Sequence, residues 1–484
     1  MGLFMALFFM GSPASAISFD EARHLLARTG FGVAAPARIR ALQSLSYEAA
    51  VDQLLGQVRA QPITQPSPDI FSLRPPGKQE RRGWSREEKK AFRQKRKKNG
   101  RALKAWWFGE MVATDSPLTE RLVLFWHNHF TSSLRKVKWP QLLYRQNELF
   151  RQQALGNFAT LLRAIVTDPA MLMYLDGRTN RVGKPNENFA RELLELFTLG
   201  EGQGYTETDI REAARALTGW RVRPRDGFAK FIRRRHDNGI KLFLNRRGHF
   251  RESEIIAILL QRSRVAEHIT EKLWRTFVSY KISKPTARRL AQTFRQSGYR
   301  MRPLLRGLFL SKEFRDPANR GTLIKSPVDL IVGAVRLMGI RMDNPKWLMR
   351  FSKRLGQDLF DPPNVKGWPG GTAWITSSTL PARQQLLRRL SRGVEMASRR
   401  GARNTGAKMK MGKSGMTPGP AMLDPIKVLG GGSLAQLQKV VLPIAPTSSN
   451  SPSSLGTSPN TMNNKQKGSK ALKALLLDPA FQLK

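Results

Sequence analysis

The chain has no cysteine among its 484 residues. Disulfide bonds, thiolate metal sites and cysteine catalysis are therefore excluded. Acidic residues are scarce as well, because 36 Asp and Glu stand against 83 Lys and Arg, for a formal net charge of +47. Such an excess of positive charge favours contact with anionic polymers or anionic surfaces, although a basic surface can also serve solubility alone.

Long apolar runs are missing after residue 16, so no transmembrane helix is predicted there. The first sixteen residues contain a short apolar run from Leu3 to Met10, followed by the small residues of Ala14-Ser15-Ala16. This pattern is typical of a signal peptide that is cleaved after Ala16. We expect residues 1–16 to be removed and the protein to be exported, to the periplasm or beyond. A mis-assigned start codon or a buried N-terminal segment is the alternative.

Strand-like alternation of apolar and polar residues is also scarce, whereas helical spacing is dense. The sequence therefore predicts a mainly α protein with one large multi-helix domain over residues 17–395. A basic helical arm is expected at 78–104, with a cluster formed by Arg93, Lys95, Arg96, Lys97 and Lys98. A run this charged is usually a solvated face, and a polyanion or nucleic-acid contact is the functional alternative.

Residues 396–470 differ in composition from the rest of the chain. They are rich in Gly, Ser, Asn, Thr and Pro and poor in apolar residues. Such a segment cannot bury enough apolar surface to fold, which predicts a disordered linker. Residues 471–484 regain apolar spacing, and we expect them to form a C-terminal helix that docks on the domain.

Residues 185–200, PNENFARELLELFTLG, predict a helix with two distinct faces. Asn186 suits the N-cap and Gly200 suits the C-terminal end. Asn188, Glu192 and Glu195 fall on the polar face, opposite a fully apolar one. Two carboxylates and a carboxamide this close can form a binding or acid/base site, but they can equally pair with arginines such as 191, 211 or 215.

Three further sets of residues are candidates for a functional site. His236 and Asp237 follow three arginines in a loop, where they form either a site or a surface turn. Trp220 and Trp368 lie beside glycines and either line a groove or anchor packed corners. His127 and His129 are two residues apart on a predicted helix, so they point to nearly opposite sides and predict no metal site. The sequence contains no P-loop, Rossmann or Gly-x-Ser-x-Gly motif, and the cofactor, if any, is unknown.

Six unusual strings occur together in this chain and in one order. They are ERLVLFWHNHF at 120–130, DPAM at 168–171, the 185–200 block, ALTGW at 216–220, HD at 236–237 and PPNVKGWPGG at 362–371. In identity and order they closely resemble a bacterial, mostly exported family catalogued as domain of unknown function 1800. The resemblance covers roughly residues 19–390 and the C-terminal end.

This resemblance implies an architecture and a context, because the family has no agreed activity. It implies an exported protein, often encoded beside a second exported protein that looks like a sulfatase or phosphatase relative. The chain departs from the family pattern in its very basic arm, in Asn245 where Gly is usual, and in the insertion at 396–470.

Three functions remain open from the sequence, and whether the protein is an enzyme is undecided. The first is an envelope binding or scaffold protein for an anionic polymer, such as an acidic glycan or lipopolysaccharide, or for an exported partner. The second is a hydrolase-like enzyme on an envelope polymer, with Glu192, Glu195, His236 and Asp237 as catalytic residues. The third is nucleic-acid binding through the arm, against which the export signal argues.

Overall fold

The computed structural model describes residues 15–33, 35–223, 226–342, 345–401, 416–417, 422, 424–447 and 464–484. The predicted signal peptide lies outside these residues except for Ser15 and Ala16. From Ile17 onwards the backbone is tied to the domain, since the Ile17 N–H donates to the Leu45 carbonyl at 2.8 Å.

Helices dominate the described residues, as the spacing of apolar positions predicts. They are α1 (Phe19–Thr29), α2 (Pro36–Leu42), α3 (Tyr47–Gly56), α4 (Lys78–Gly83), α5 (Arg86–Ala113), α6 (Pro117–His129), α7 (Leu134–Val137), α8 (Pro140–Gln152), α9 (Phe158–Val166), α10 (Pro169–Tyr174), α11 (Glu187–Glu192), α12 (Glu207–Ala216), α13 (Glu252–Leu260), α14 (Ser263–Phe277), α15 (Lys284–Gln296), α16 (Met301–Leu310), α17 (Lys312–Arg315), α18 (Pro327–Leu337), α19 (Lys346–Arg354), α20 (Thr379–Gly401), α21 (Pro425–Gly430), α22 (Leu434–Val441) and α23 (Asn464–Leu477).

The strands are short and pair only in twos within the described residues. They are β1 (Trp220–Arg223) with β2 (Phe228–Phe231), β3 (Lys241–Phe243) with β4 (Arg246–Gly248), and β5 (Arg341–Met342) with β6 (Met416–Thr417), all antiparallel. The prediction of a mainly α, single large domain is confirmed. No helix among the described residues is long and apolar enough to cross a membrane.

The basic arm at 78–104 comprises the short helix α4 and the first part of the longer helix α5. Helix α5 runs for 28 residues, from an N-cap at Ser85 to Ala113. Its first half is mostly exposed, whereas Leu103, Trp107 and Met111 in its second half are fully buried. The basic arm therefore ends within helix α5, whose apolar positions anchor it in the core beyond residue 104.

The polar-faced helix at 185–200 also differs from the prediction. Asn186 does cap α11, but residues Leu193–Thr198 form a π-helix instead of continuing the α-helix. Across this wider turn, the Thr198 hydroxyl donates a hydrogen bond to the Leu193 carbonyl at 2.6 Å. It also rotates Glu195 relative to the face expected from a spacing of 3.6 residues per turn.

Part of the predicted linker is folded. Helices α21 and α22 lie within 396–470, and they bury Leu429, Leu437 and Val440 against the rest of the core. Residues 402–415, 418–421, 423 and 448–463 of that range lie outside the described residues. The low overall apolar content concealed these two short helices, each of which has only a few apolar positions to bury. Helix α23 packs against α20, α21 and α22.

The core contains a buried ion pair between α6 and α8. The Arg151 Nε and Nη2 atoms donate to the two Glu120 carboxylate oxygens at 2.8 and 2.9 Å, and the indole of Trp107 donates to the same carboxylate at 2.8 Å. Glu120 and Arg151 are each 1% exposed. Such a pair adds little when intact, but losing one partner leaves an uncompensated buried charge.

We predict that Glu120→Gln lowers the free energy of unfolding by roughly 3–5 kcal/mol, because Arg151 keeps its charge and loses its counterion. Equilibrium denaturation with urea measures this loss. Asp115→Asn is the matched control, since it removes an exposed ion pair with Arg59 that should matter little. Equal losses in the two variants would contradict the prediction.

Candidate functional site

Two of the sequence motifs, 240 residues apart, meet at one place in the fold. The Trp368 backbone N–H donates to the Asn128 side-chain oxygen at 2.7 Å. Gly367 has a φ of +87°, and a Cβ there would lie 2.3 Å from that same oxygen, so only glycine fits this approach. The contact fixes the loop at 366–374 beside the end of α6, and the two together form one wall of a pocket.

The pocket has a volume of about 720 Å³, and we call it the cationic pocket. Its walls come from α6, α14, the start of α18, the loop at 366–374 and the C-terminal residue of the chain. Five basic side chains line it with a single acidic one: Arg121, Lys272, Arg275, Lys366 and Lys484 against Asp329. A concave site lined by one sign of charge concentrates ligands of the other sign.

Asp329 is already neutralised by two of these cations. Its carboxylate contacts the Arg121 guanidinium and, at 2.7 Å, the Lys484 Nζ, and all three side chains are largely buried. Burial alone would raise the pKa of Asp329, but Arg121 and Lys484 outweigh it and lower that pKa to about 2. The pocket therefore keeps an excess of positive charge that no acidic side chain in its lining balances.

Lys272 lies against neutral groups. Its Nζ donates to the His129 Nδ1 at 3.0 Å and to the Leu196 carbonyl at 3.1 Å. His268 contacts that same carbonyl through Nε2 at 3.1 Å. The Leu196 carbonyl belongs to the π-helix at the end of α11, where helix carbonyls attract cations. Burial, and then Arg275, lower the pKa of Lys272 to about 8.

The remaining two cations are at the rim of the pocket and are exposed. Lys366 reaches Glu201 at 3.0 Å in a pair that is open to solvent, and Arg275 forms no ion pair with the described residues. Tyr280 also lines the pocket, is 42% exposed and lies next to Gly371 of the loop. An aromatic ring and a guanidinium in one pocket can bind both the apolar face and the charge of one ligand.

The predicted carboxylate face does not open into this pocket. Glu195 pairs with Arg191 at 3.2 Å, and Arg191 also pairs with Glu207 at 2.6 Å. Glu192 is half-buried and has no hydrogen bond to the described residues. Burial and the nearby Glu195 raise the pKa of Glu192. The two carboxylates therefore differ, because one is neutralised by an arginine and the other is not.

His236 and Asp237 are directed into the protein around β1 and α12. His236 is 6% exposed, with its Nδ1 3.1 Å from the Thr218 carbonyl. Asp237 forms a bidentate pair with Arg215 at 2.8 and 3.1 Å, and this pairing lowers the pKa of Asp237. Neither residue lines the cationic pocket, and neither contacts Glu192 or Glu195.

The predicted binding residues are divided between structure and surface. Asn188 donates to the Leu175 carbonyl at 3.2 Å, and Trp220 packs edge-on against Phe231. Trp368 is only 5% exposed, yet it lines the cationic pocket. In the arm, Arg93, Lys95, Lys97 and Lys98 are exposed and Arg96 is half-buried, so most of that cluster faces solvent.

His127 and His129 have different surroundings, as expected from their spacing. His127 packs against the rings of Trp107, Phe360 and Trp368, and burial lowers its pKa to about 3. Only His129 lines the cationic pocket. Among the described residues no group of three or more His, Asp or Glu side chains is placed to hold a metal ion.

Sequence reasoning missed most of the residues that form the pocket. Arg121 and Asn128 belong to a quoted motif, but Lys272, Arg275, Asp329 and Lys484 come from stretches that look like ordinary amphipathic helix or chain end. A surplus of lysine and arginine is general in this chain. No local signal therefore distinguishes the basic residues that converge.

These features define a helical protein with a positively charged pocket at the junction of several helices. The chain belongs to the family described as protein of unknown function DUF1800, whose sequence profile matches residues 24–483. The resemblance drawn from the six motifs is thereby confirmed. No curated protein and no solved structure matches the chain.

We predict opposite stability effects for the two carboxylates of the π-helix region. Glu192→Gln should keep or raise the melting temperature at pH 8, because a carboxyl whose pKa is raised by folding loses stability as pH rises through that pKa. Glu195→Gln should lower the melting temperature, since it leaves Arg191 with one partner fewer. Thermal denaturation of both variants at pH 5 and pH 8 measures the difference, and a large loss in Glu192→Gln would refute it.

Proposed function

We propose that the protein is an exported envelope protein that binds an anionic saccharide, with one acidic group of that ligand held in the cationic pocket. The observation that carries this proposal is the charge balance of the pocket. Five basic side chains line it, and the one acidic side chain among the described lining residues is already bound by Arg121 and Lys484. A phosphate, sulfate or carboxylate group would supply the missing negative charge.

The rim of the pocket supports a saccharide as the carrier of that group. Arg275 offers a guanidinium without an ion pair among the described residues, and Tyr280, which also lines the pocket, offers an exposed ring. Guanidinium groups bind carboxylates and sulfates in bidentate fashion, while an aromatic ring gives a flat apolar surface for a sugar. Acidic glycans and lipopolysaccharide both combine these chemical features.

The proposed hydrolase alternative has weaker support. Its four residues would have to converge on one cavity, with carboxylates free to exchange protons. Glu195 and Asp237 are instead paired with arginines, and His236 is buried against Thr218. Only Glu192 remains without a direct partner among the described residues. This distribution favours a binding protein over an enzyme that uses these four residues.

The basic half of α5 is proposed as a second, less specific contact with the same polymer. Its exposed cluster repeats the charge of the pocket on an open surface, where contacts to a polyanion depend on counterion release. The export signal argues against nucleic acid as the natural ligand. By family resemblance, an exported sulfatase- or phosphatase-like protein is a proposed partner, which would act on the anionic esters that such a polymer carries.

The two contacts should differ in salt dependence. Replacing Arg93, Lys95, Arg96, Lys97 and Lys98 with Gln should reduce the slope of log affinity for long heparin against log salt, because fewer counterions are released. Arg275→Gln should weaken binding of a heparin tetrasaccharide by about tenfold, the loss of one charge-assisted hydrogen bond. Isothermal titration calorimetry at several salt concentrations measures both effects.

Arg388→Gln is the matched control, because Arg388 is exposed on α20 and does not line the pocket. It should leave tetrasaccharide affinity unchanged. If Arg275→Gln and Arg388→Gln behave alike, binding depends on diffuse surface charge and the pocket proposal fails.

Export predicts a defined N-terminus. Ala16 is exposed, whereas Ile17 is 3% exposed and hydrogen-bonded to Leu45, so cleavage between them would leave the first mature residue anchored in the domain. Intact-mass analysis of protein from the periplasm of an expressing Gram-negative host should give a chain that begins at Ile17. Full-length protein confined to the cytoplasm would overturn the proposal of export.

A further inference from the structure

Lys272 differs from the other four bases of the cationic pocket in its contacts. Arg121 and Lys484 bind Asp329, Lys366 binds Glu201, and Arg275 is open to solvent. Lys272 instead is half-buried in the pocket wall, and its Nζ contacts only neutral acceptors among the described residues. A lysine that is desolvated, close to other cations and without a carboxylate partner is the type that becomes a nucleophile.

The neighbours of Lys272 leave its amino group without a counter-charge. The Nδ1 of His129 lies 3.0 Å from the Lys272 Nζ, and an ammonium group can only donate to it. Burial and the adjacent Lys272 keep the pKa of His129 well below its usual value, so this imidazole stays a neutral acceptor. His268 and Arg275 face the same amino group from α14 and add no negative charge. The lowered pKa of Lys272, to about 8, agrees with these surroundings.

We propose that Lys272 is a reactive amine that forms an imine with the carbonyl group of an anionic ligand bound in the cationic pocket. This inference rests on the proposed function, because the surrounding cations must first hold the ligand's acidic group. The chemical class is an anionic aldehyde or ketone, of which the open-chain reducing end of an acidic saccharide is one member.

The step balances without an added oxidant or reductant. The neutral Nζ attacks the carbonyl carbon, the C=O π electrons move to oxygen, and that oxygen takes a proton to give a carbinolamine. The nitrogen loses the proton that the oxygen takes up, and His129 Nδ1 remains a hydrogen-bond partner of Nζ. Loss of the hydroxyl as water then gives the C=N bond, so amine and carbonyl become imine and water.

Pyridoxal 5′-phosphate is a suitable probe, because it carries an aldehyde and a phosphate on one small molecule. Incubation of the full chain with a stoichiometric amount, reduction with borohydride and peptide mass mapping should place the adduct mainly on Lys272. Inorganic phosphate or sulfate should reduce labelling by competing for the pocket. Lys272→Arg should abolish this adduct, whereas Lys312→Arg, a matched change at an exposed lysine of α17 that does not line the pocket, should leave it in place.

The map of the unmutated protein decides the question even if Lys272→Arg folds poorly. Labelling spread evenly over exposed lysines, or the same labelling in the presence of phosphate, would overturn the proposal. Pyridoxine 5′-phosphate, which has an alcohol in place of the aldehyde, separates the two proposals. If it binds in an Arg275-dependent way while the aldehyde gives no Lys272 adduct, the anion pocket stands and the imine falls. If pyridoxine 5′-phosphate does not bind, the proposed function itself is wrong, and the imine proposal that rests on it is overturned as well.

Discussion

The centre of this fold depends on one carboxylate. Asp329 accepts hydrogen bonds from Arg121 of α6, from Lys484 at the end of the described chain and from the Ser326 N–H at the start of α18. Two more buried cations, Lys325 and Arg383, lie close enough to feel its charge, and they bind backbone or side-chain oxygens of residues 481 and 482. A single anion therefore holds the C-terminal segment, α18 and α6 together. Since one carboxylate serves so many basic groups, burial lowers the pKa of Lys325 well below its usual value and that of Lys484 to about 7.

The π-helix has a comparable role on the other side of the pocket. A regular α-helix would commit each carbonyl to the N–H four residues later, whereas the wider turn at Leu193–Thr198 re-aims carbonyls toward α14. The Leu196 carbonyl thereby meets both Lys272 and His268, and the Leu199 carbonyl accepts from Arg264. Without these neutral acceptors, a lysine beside Arg275 would have no partner in the interior. The π-helix therefore provides the carbonyl group that positions Lys272.

The sequence predicts regular helices well, but it predicts poorly a pocket whose residues come from distant parts of the chain. Helix α1 ends where its apolar spacing ends, and the capping box of Thr206 and Asp209 starts α12 as its residue types require. The π-helix was not predicted, because the contacts of its Leu196 carbonyl are with α14, more than seventy residues later in the chain. Helices α21 and α22 were missed because the low apolar content of residues 396–470 conceals a few well-spaced apolar side chains. In the same way, the high charge of the arm conceals the apolar side chains that continue to the end of α5. The pocket was missed because its charges come from positions 121, 272, 329 and 484, which only the tertiary fold brings together.

Side chains in ion pairs contribute to the fold, whereas basic side chains without an acidic partner are available to bind a ligand. Glu120, Glu195 and Asp237 each form an ion pair with an arginine. The formal charge of +47 leaves many bases without such a partner, but most are dispersed on the surface, where solvent and salt screen them. In the cationic pocket the surplus basic side chains line a concave, partly buried surface that also includes the exposed ring of Tyr280. Screening is weakest there, so a single acidic group gains more from binding in this pocket than from contact with any one exposed base. This is why the pocket, rather than the more conspicuous basic arm, is the place where selective recognition can arise.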